Sequence, residues 1–230
     1  MLFRSYIKRE HEKIEDTIRS VERKSDDKMN VLTNEDIPSR NPYYRYVLEE
    51  MCGGITHKKF QDTKITRSQN AMDYIEWNGG NYSDVSKWMY KQGYTKLAER
   101  CIAMYNKLSE GGNIMRKICH FPKGTIGAFV GHMPKHLTHP DEDRYLTLRE
   151  CLSIMKLPKD FELQGGVKNL NHICQNVPVT TAEDMAIHVE KFVDGRLSNQ
   201  LLDTDFLIQD NTNHKLNFEK NSVQLDAFMV

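Results

Sequence analysis

Five cysteines and nine histidines are the residues of this 230-residue chain best suited to covalent or metal chemistry. Cys52, Cys101, Cys119, Cys151 and Cys174 are scattered, without the paired spacing of a disulfide framework or a zinc ribbon, so reduced thiols are expected. Cys52, in EMCGGI, is the one cysteine beside a flexible loop, but it precedes the basic region and reads as an ordinary buried thiol rather than a nucleophile. His132, His136 and His139 follow the spacing H-x3-H-x2-H, with Cys119-His120 upstream, a set that zinc can use. Pro134 and Pro140 break any single helix that would present them together, so no metal site is expected. The stretch KGTIGAFVG places Lys before Gly and Thr after it, which is not the order of a phosphate-binding loop. No catalytic residue is assigned within this chain.

Charge is distributed unevenly although the total is zero. Lys and Arg against Asp and Glu number 10 and 11 in residues 1–50, 13 and 6 in 51–140, and 9 and 15 in 141–230, which are nets of −1, +7 and −6. A basic middle suits a localised polyanion-binding surface, because phosphate neutralisation supplies most non-specific nucleic-acid affinity. A solvated lobe with uneven charge is the alternative. Lys58, Lys59, Arg67, Trp77, Arg116 and Lys117 are the candidate DNA contacts in this interval. Trp88 falls on the apolar face of a helical pattern and is expected in the core, whereas Trp77 adjoins Asn78-Gly79-Gly80 and is expected at the surface.

Residues 144–179 carry the most specific pattern: RYLTLRECLSIMKLPKDF, a Gly-Gly turn, then HICQNVPVTTAEDMA. Arg144, Leu146, Thr147, Arg149, Glu150, Pro158, Phe161, Ile173, Val177 and Pro178 follow R-x-L-T-x-R-E, a short helix, F-P-x-x-F and I-G-N/Q-x-V-P. That order resembles the last two motifs of the DNA cytosine-5 methyltransferases, and Cys174 stands where the family usually has Gly. The resemblance implies that Arg144, Thr147, Arg149 and Glu150 organise the DNA-facing lobe. It implies further that Gln175 and Asn176 give polar contacts to S-adenosylmethionine, with Val177 and Pro178 shaping the turn. Chemistry of this family needs a thiolate that attacks a cytosine taken out of the stack. The family's Pro-Cys, Gly-rich cofactor loop, Glu-Asn-Val and Gln-Arg-x-Arg are all missing before Arg144, and no cysteine here follows a proline. The expectation is therefore the C-terminal part of such an enzyme. It would read duplex DNA and share S-adenosylmethionine with a second polypeptide that carries the catalytic Cys. The alternative is a non-catalytic DNA-binding remnant or specificity module.

Periodicity supplies the elements that must position these residues. Ile7, Ile14, Ile18 and Val21 predict an amphipathic helix over 6–25, and Pro38 and Pro42 predict turns in a loop over 25–45. Helical patterns cover 45–51 and 84–108, the second broken near Gly93 into two helices. MDYIEWNGGNYS predicts a short strand or hairpin, and IMRKICHF and TIGAFVGHM predict two short strands. A helix begins at Thr147 and stops before Pro158, and another, capped by Thr180 or Thr181, runs to Gly195. The fold class expected is α+β: a small mixed target-recognition-like lobe followed by helices that would pack on a Rossmann-like methyltransferase domain largely absent from the chain. Four segments follow: 1–50, the basic lobe 51–140, the closing motifs 141–195, and a tail 196–230. Arg4, Lys8 and Arg9 interrupt the first residues and no run approaches about 20 apolar residues, so no membrane segment and a cytoplasmic location are expected.

Overall fold

The structure, a computed structural model, describes residues 12–116, 118–127, 129 and 133–196. It is mixed and helix-rich with one small two-stranded sheet, compatible with the α+β class. The helices are α1 (Ile14–Arg19), α2 (Pro42–Tyr46), α3 (His57–Thr63), α4 (Ala71–Trp77), α5 (Tyr82–Lys91), α6 (Thr95–Ser109), α7 (Leu148–Ile154) and α8 (Val179–Val193). Strand β1 (Gln69–Asn70) pairs antiparallel with β2 (His120–Phe121), Gln69 opposite Phe121. No described helix is long and apolar enough to cross a membrane. The chain divides into two compact units, Met1–Glu183 and Asp184–Val230.

Two cores lie in the first unit. One is aromatic: the Tyr44, Phe60 and Phe121 rings meet with centroids 4.7–5.2 Å apart, joined by Met72, Ile75, Val85, Trp88 and Met89. The other is aliphatic, built from Ile18, Leu137, Leu146, Leu148, Leu152, Leu170 and Ile173. These cores cut across the segments read from composition, since Tyr43 to Leu48 belong to the first core and Ile18 and Met29 to the second.

Local chemistry decides where the elements start and stop. The pair α5 and α6 forms as expected, broken at Gly93 with φ 82°, and Trp88 is buried on α5. The strand or hairpin expected at MDYIEW is instead helix α4. Asn70 accepts hydrogen bonds from the Met72 and Asp73 amides, and Asp73 answers to the Asn70 amide, a capping box that outweighs the alternating start. The Asn-Gly-Gly-Asn stretch does turn the chain, and Asn81 then caps α5. Pro38 and Pro42 open helical turns rather than loop turns, because proline at the first helical position gives up only an amide that has no partner anyway. The N-terminal helix covers six described residues, since Ser20 ends it and Asp27 Oδ1 then takes the Met29 amide in a local turn; Ile7 lies outside the described residues. Of the two strands expected over 114–133, β2 alone forms among the described residues, with a single bridge between Lys123 and Thr125. Helix α8 starts before Thr180, with the Pro178 carbonyl accepting from the Thr181 and Ala182 amides, and Gly195 ends it at φ 66°. The tail beyond Arg196 lies outside the described residues.

The segment 137–150 ties the first unit together. Leu146 donates to Leu137 and His139 to Arg144 across a tight loop, while Leu32 bridges Thr147 on the other side. Thr147 caps α7 by accepting from the Glu150 amide, and Glu150 Oε2 accepts from the Thr147 amide at 2.7 Å. Arg144 meets the same carboxylate bidentately at 2.8 and 2.9 Å and reaches Glu142 at 2.8 Å. Glu150 is 1% exposed, so this is a buried ion pair. Arg149 donates twice to Asp27, at 2.6 and 3.0 Å, and once to the Phe161 carbonyl at 2.8 Å. His139 Nδ1 accepts from the amides of Asp141 and Glu142, which puts its proton on Nε2, facing Glu150 and Glu142 at 3.9 and 4.0 Å. His57 Nε2 donates to the His139 carbonyl at 2.7 Å and Nδ1 accepts from the Tyr44 hydroxyl at 2.9 Å.

Two outcomes follow from this hub. Glu150→Gln leaves the partly buried guanidinium of Arg144 without its main partner and is expected to cost about 3 kcal/mol, read as a lower urea midpoint; a change under about 0.5 kcal/mol, the usual scale of a neutral surface substitution, contradicts the role given to the pair. The second concerns pH. Burial holds His57, His120 and His139 below the ordinary histidine range, His120 at about 4 with added repulsion from His136. The unfolded chain therefore binds more protons than the folded one just below pH 6.5, so stability is full above that value and falls as pH drops toward 4, by up to about 1.4 kcal/mol per pH unit for each histidine. Asp27, held down by Arg149, and Asp141, held at about 2 by Arg19, stay charged through that window. A urea midpoint unchanged between pH 7.5 and 5 would refute this.

Candidate nucleic-acid interface

Helix α3 carries Lys58 and Lys59 on its exposed side, because His57, Phe60 and Gln61 take the buried side at the intervening positions. Thr56 caps it by accepting from the Lys59 amide. The Lys58 ammonium comes within 3.5 Å of Asp141, an exposed pair worth little in water. Lys59 makes no ion pair with a carboxylate among the described residues, and Arg67 makes none within 4 Å, although its charge acts on Asp73.

Trp77, at the end of α4, is 49% exposed, as expected from its place beside the glycines. The Arg67 guanidinium lies over its ring, 3.9 Å from the centroid, a cation–π contact at the surface. Arg116 reaches the same helix from the other direction and grips Glu76 at 2.8 and 2.9 Å, with Asp73 at 3.6 Å. Arg67, Trp77 and Arg116 thus meet around α4. Their charges are not equally available: Arg67 makes no salt bridge and acts on Asp73 only at a distance, whereas the Arg116 charge is already neutralised and its pKa raised, first by its hydrogen bond to Glu76. Lys117 lies outside the described residues.

The closing motifs present a different surface. Residues Gly166–Gln175 wind as a 3-10 helix kinked at Asn169, and its end is fixed by Leu170 and Ile173 in the aliphatic core. Gln175, Asn176 and Val177 are exposed and Pro178 is half-buried. The Asn176 side-chain amide donates to the His172 carbonyl at 2.6 Å, while Gln175 has no partner among the described residues. Cys174 adopts an ordinary negative φ, since Cys119 and Lys156 are the described non-glycine residues with positive φ. A side chain at this position is therefore compatible with the turn. The Val179 amide then bonds the Met155 carbonyl at 3.2 Å, anchoring the turn to the end of α7. Val177 is 57% exposed and Phe161 is 37% exposed. In the second unit Met185, Val189, Phe192 and Val193 of α8 are also exposed.

Burial pushes Cys119 up to about 12 and raises Cys101, Cys151 and Cys174, which is the direction opposite to that of a nucleophile. Cys52 lies 3.5 Å from the Tyr74 hydroxyl. No group of three or more His, Cys, Asp or Glu is placed to hold a metal among the described residues, and His132 of the histidine set lies outside them. Sequence reasoning does not find Asp27, Glu76 or Glu142, which hold Arg149, Arg116 and Arg144. Asp27 is 122 residues from its partner, and no local pattern signals such a pairing. Comparison with protein-family models, with curated proteins and with solved structures gives no match.

Proposed function

We propose that this chain is the C-terminal part of a DNA cytosine-5 methyltransferase, which reads duplex DNA and completes an S-adenosylmethionine site on a partner polypeptide. The observation that carries the reading is the union of motif and role. Arg144, Thr147, Arg149 and Glu150, the motif residues, are the ones that cap α7 and clamp it to the Asp27 loop and to Phe161. Gln175, Asn176 and Val177, the residues the resemblance would place at the cofactor, face outward on a turn whose backbone is anchored.

Large apolar side chains left in water, Phe161 and Val177 on one unit and Phe192 and Val193 on the other, suit a chain that is covered by a partner. In this reading that partner is the Rossmann-like domain, and it supplies the Pro-Cys nucleophile, the acid and most of the cofactor pocket. S-adenosylmethionine supplies the methyl group when bound; Gln175 and Asn176 offer amide donors and acceptors to it, and Val177 and Pro178 hold the turn's shape. The target cytosine must leave the stack for the partner's pocket, while the lobe bearing Lys58, Lys59 and Arg67 holds the backbone in register.

A second reading, a non-catalytic DNA-binding or specificity module, is favoured by the cations Lys59 and Arg67, which make no salt bridge among the described residues, and by the raised thiols of Cys101, Cys119, Cys151 and Cys174. One experiment separates the two. The chain is co-expressed with a polypeptide carrying Pro-Cys and Glu-Asn-Val, and labelled methyl transfer from S-adenosylmethionine to duplex DNA is measured. Transfer that needs both chains and is lost in Gln175→Ala with Asn176→Ala supports the split enzyme. No transfer, together with salt-dependent duplex binding by the isolated chain, leaves the binding module instead.

A further inference from the structure

The groove between α2 and the start of α6 lies outside everything assigned above. Its volume is about 470 Å³, and it is lined by Ser39, Arg40, Arg45, Glu49, Gly54 and Tyr94 among others. One wall is a π-helical turn, Val47–Met51, a rare geometry found often at functional sites. The chain leaves that turn through Gly53 and Gly54, with φ 68° and 77°, and nothing stands within 4 Å of where a side chain would begin at either. Only glycine takes those angles readily, and its lack of a side chain keeps that rim open.

The charges in the groove are unevenly committed. Arg40 is exposed, and its guanidinium has no hydrogen bond or ion pair among the described residues. Arg45 gives Nε to Glu49 at 2.6 Å and Nη1 to the Tyr94 hydroxyl at 3.3 Å, in an exposed pair that exchanges readily with a better anion. Asp143 takes both the backbone amide and the hydroxyl of Ser39, so Ser39 fixes the turn ahead of Arg40 rather than facing a ligand. Two guanidinium forks around one opening suit a phosphate, which offers more acceptor oxygens and more negative charge than a single carboxylate.

We infer that this groove binds a phosphate group, held by Arg40 and Arg45, with Glu49 as the internal anion it displaces. The phosphate comes either from a free nucleotide or pyrophosphate or from the backbone of a nucleic acid, and the test distinguishes them. The inference stands without the methyltransferase reading.

Trp77→Phe leaves Trp88 as the sole tryptophan; it is 6% exposed, with the Arg45 guanidinium 5.8 Å from its ring centroid, and so reports on that guanidinium. Pyrophosphate and a short DNA duplex are titrated separately at fixed ionic strength, by calorimetry into the unsubstituted full-length chain, since Trp77 is itself a candidate DNA contact, and by Trp88 emission into this variant. Saturable binding is expected for at least one probe, accompanied by an emission change. Arg40→Ala should weaken it about tenfold and Glu49→Gln should tighten it about threefold, in line with the loss of one charged hydrogen-bonding fork and of one exposed competing pair. The probe whose binding Arg40→Ala weakens identifies the source. No saturable binding by either probe, or binding unchanged in Arg40→Ala, overturns the proposal; Arg40 is exposed and unpaired, so its removal leaves the fold intact.

Discussion

The bidentate pair between Arg144 and the buried carboxylate of Glu150 is the constraint on which the first unit depends. Both partners bond elsewhere as well. Glu150 closes the cap of α7 through the Thr147 amide, and Arg144 holds Glu142 at the rim of the 139–143 loop. Because that loop also receives Arg19, Lys58 and the His57 imidazole, the pair fixes α1 and α3 as well as α7. A buried pair of this kind adds little net stability over an apolar replacement but penalises any arrangement that separates its members. Its value to the molecule is a single register for the segments that meet there.

How much of the fold is legible in the sequence follows from range. Helices α5, α6 and α7 carry their signals within a few residues, in a period of three to four, in Gly93 and in the proline beyond α7, and they form where expected. Helix α4 reads as a strand in the sequence because MDYIEW begins with alternation, whereas the deciding interaction is the Asn70 and Asp73 cap at its edge. The pairing of Arg149 with Asp27 and of Arg116 with Glu76 is invisible there, since nothing near either arginine in the chain marks its partner. The same limit applies to the basic middle: composition gives a net charge of +7 for 51–140 without saying that Arg116 is consumed internally while Arg67 lies open on Trp77.

The closing motifs gain their meaning from the contrast between their two halves. The R-x-L-T-x-R-E residues turn inward and are spent on structure; the Gln-Asn-Val residues turn outward with an anchored backbone and a free side chain at Gln175. The Val179 amide ties the end of that turn to the Met155 carbonyl while its side chains stay exposed.

Whether the outward turn completes a cofactor site on a second chain can be decided by amide hydrogen exchange across residues 170–180. Exchange is measured on the chain alone, with a partner bearing the catalytic Pro-Cys, and with that partner plus S-adenosylmethionine. Slowed exchange at Gln175, Asn176 and Val177 is expected on adding the partner, with a further slowing when the cofactor is present. Unchanged exchange at these three residues in all three states would contradict the split-enzyme reading.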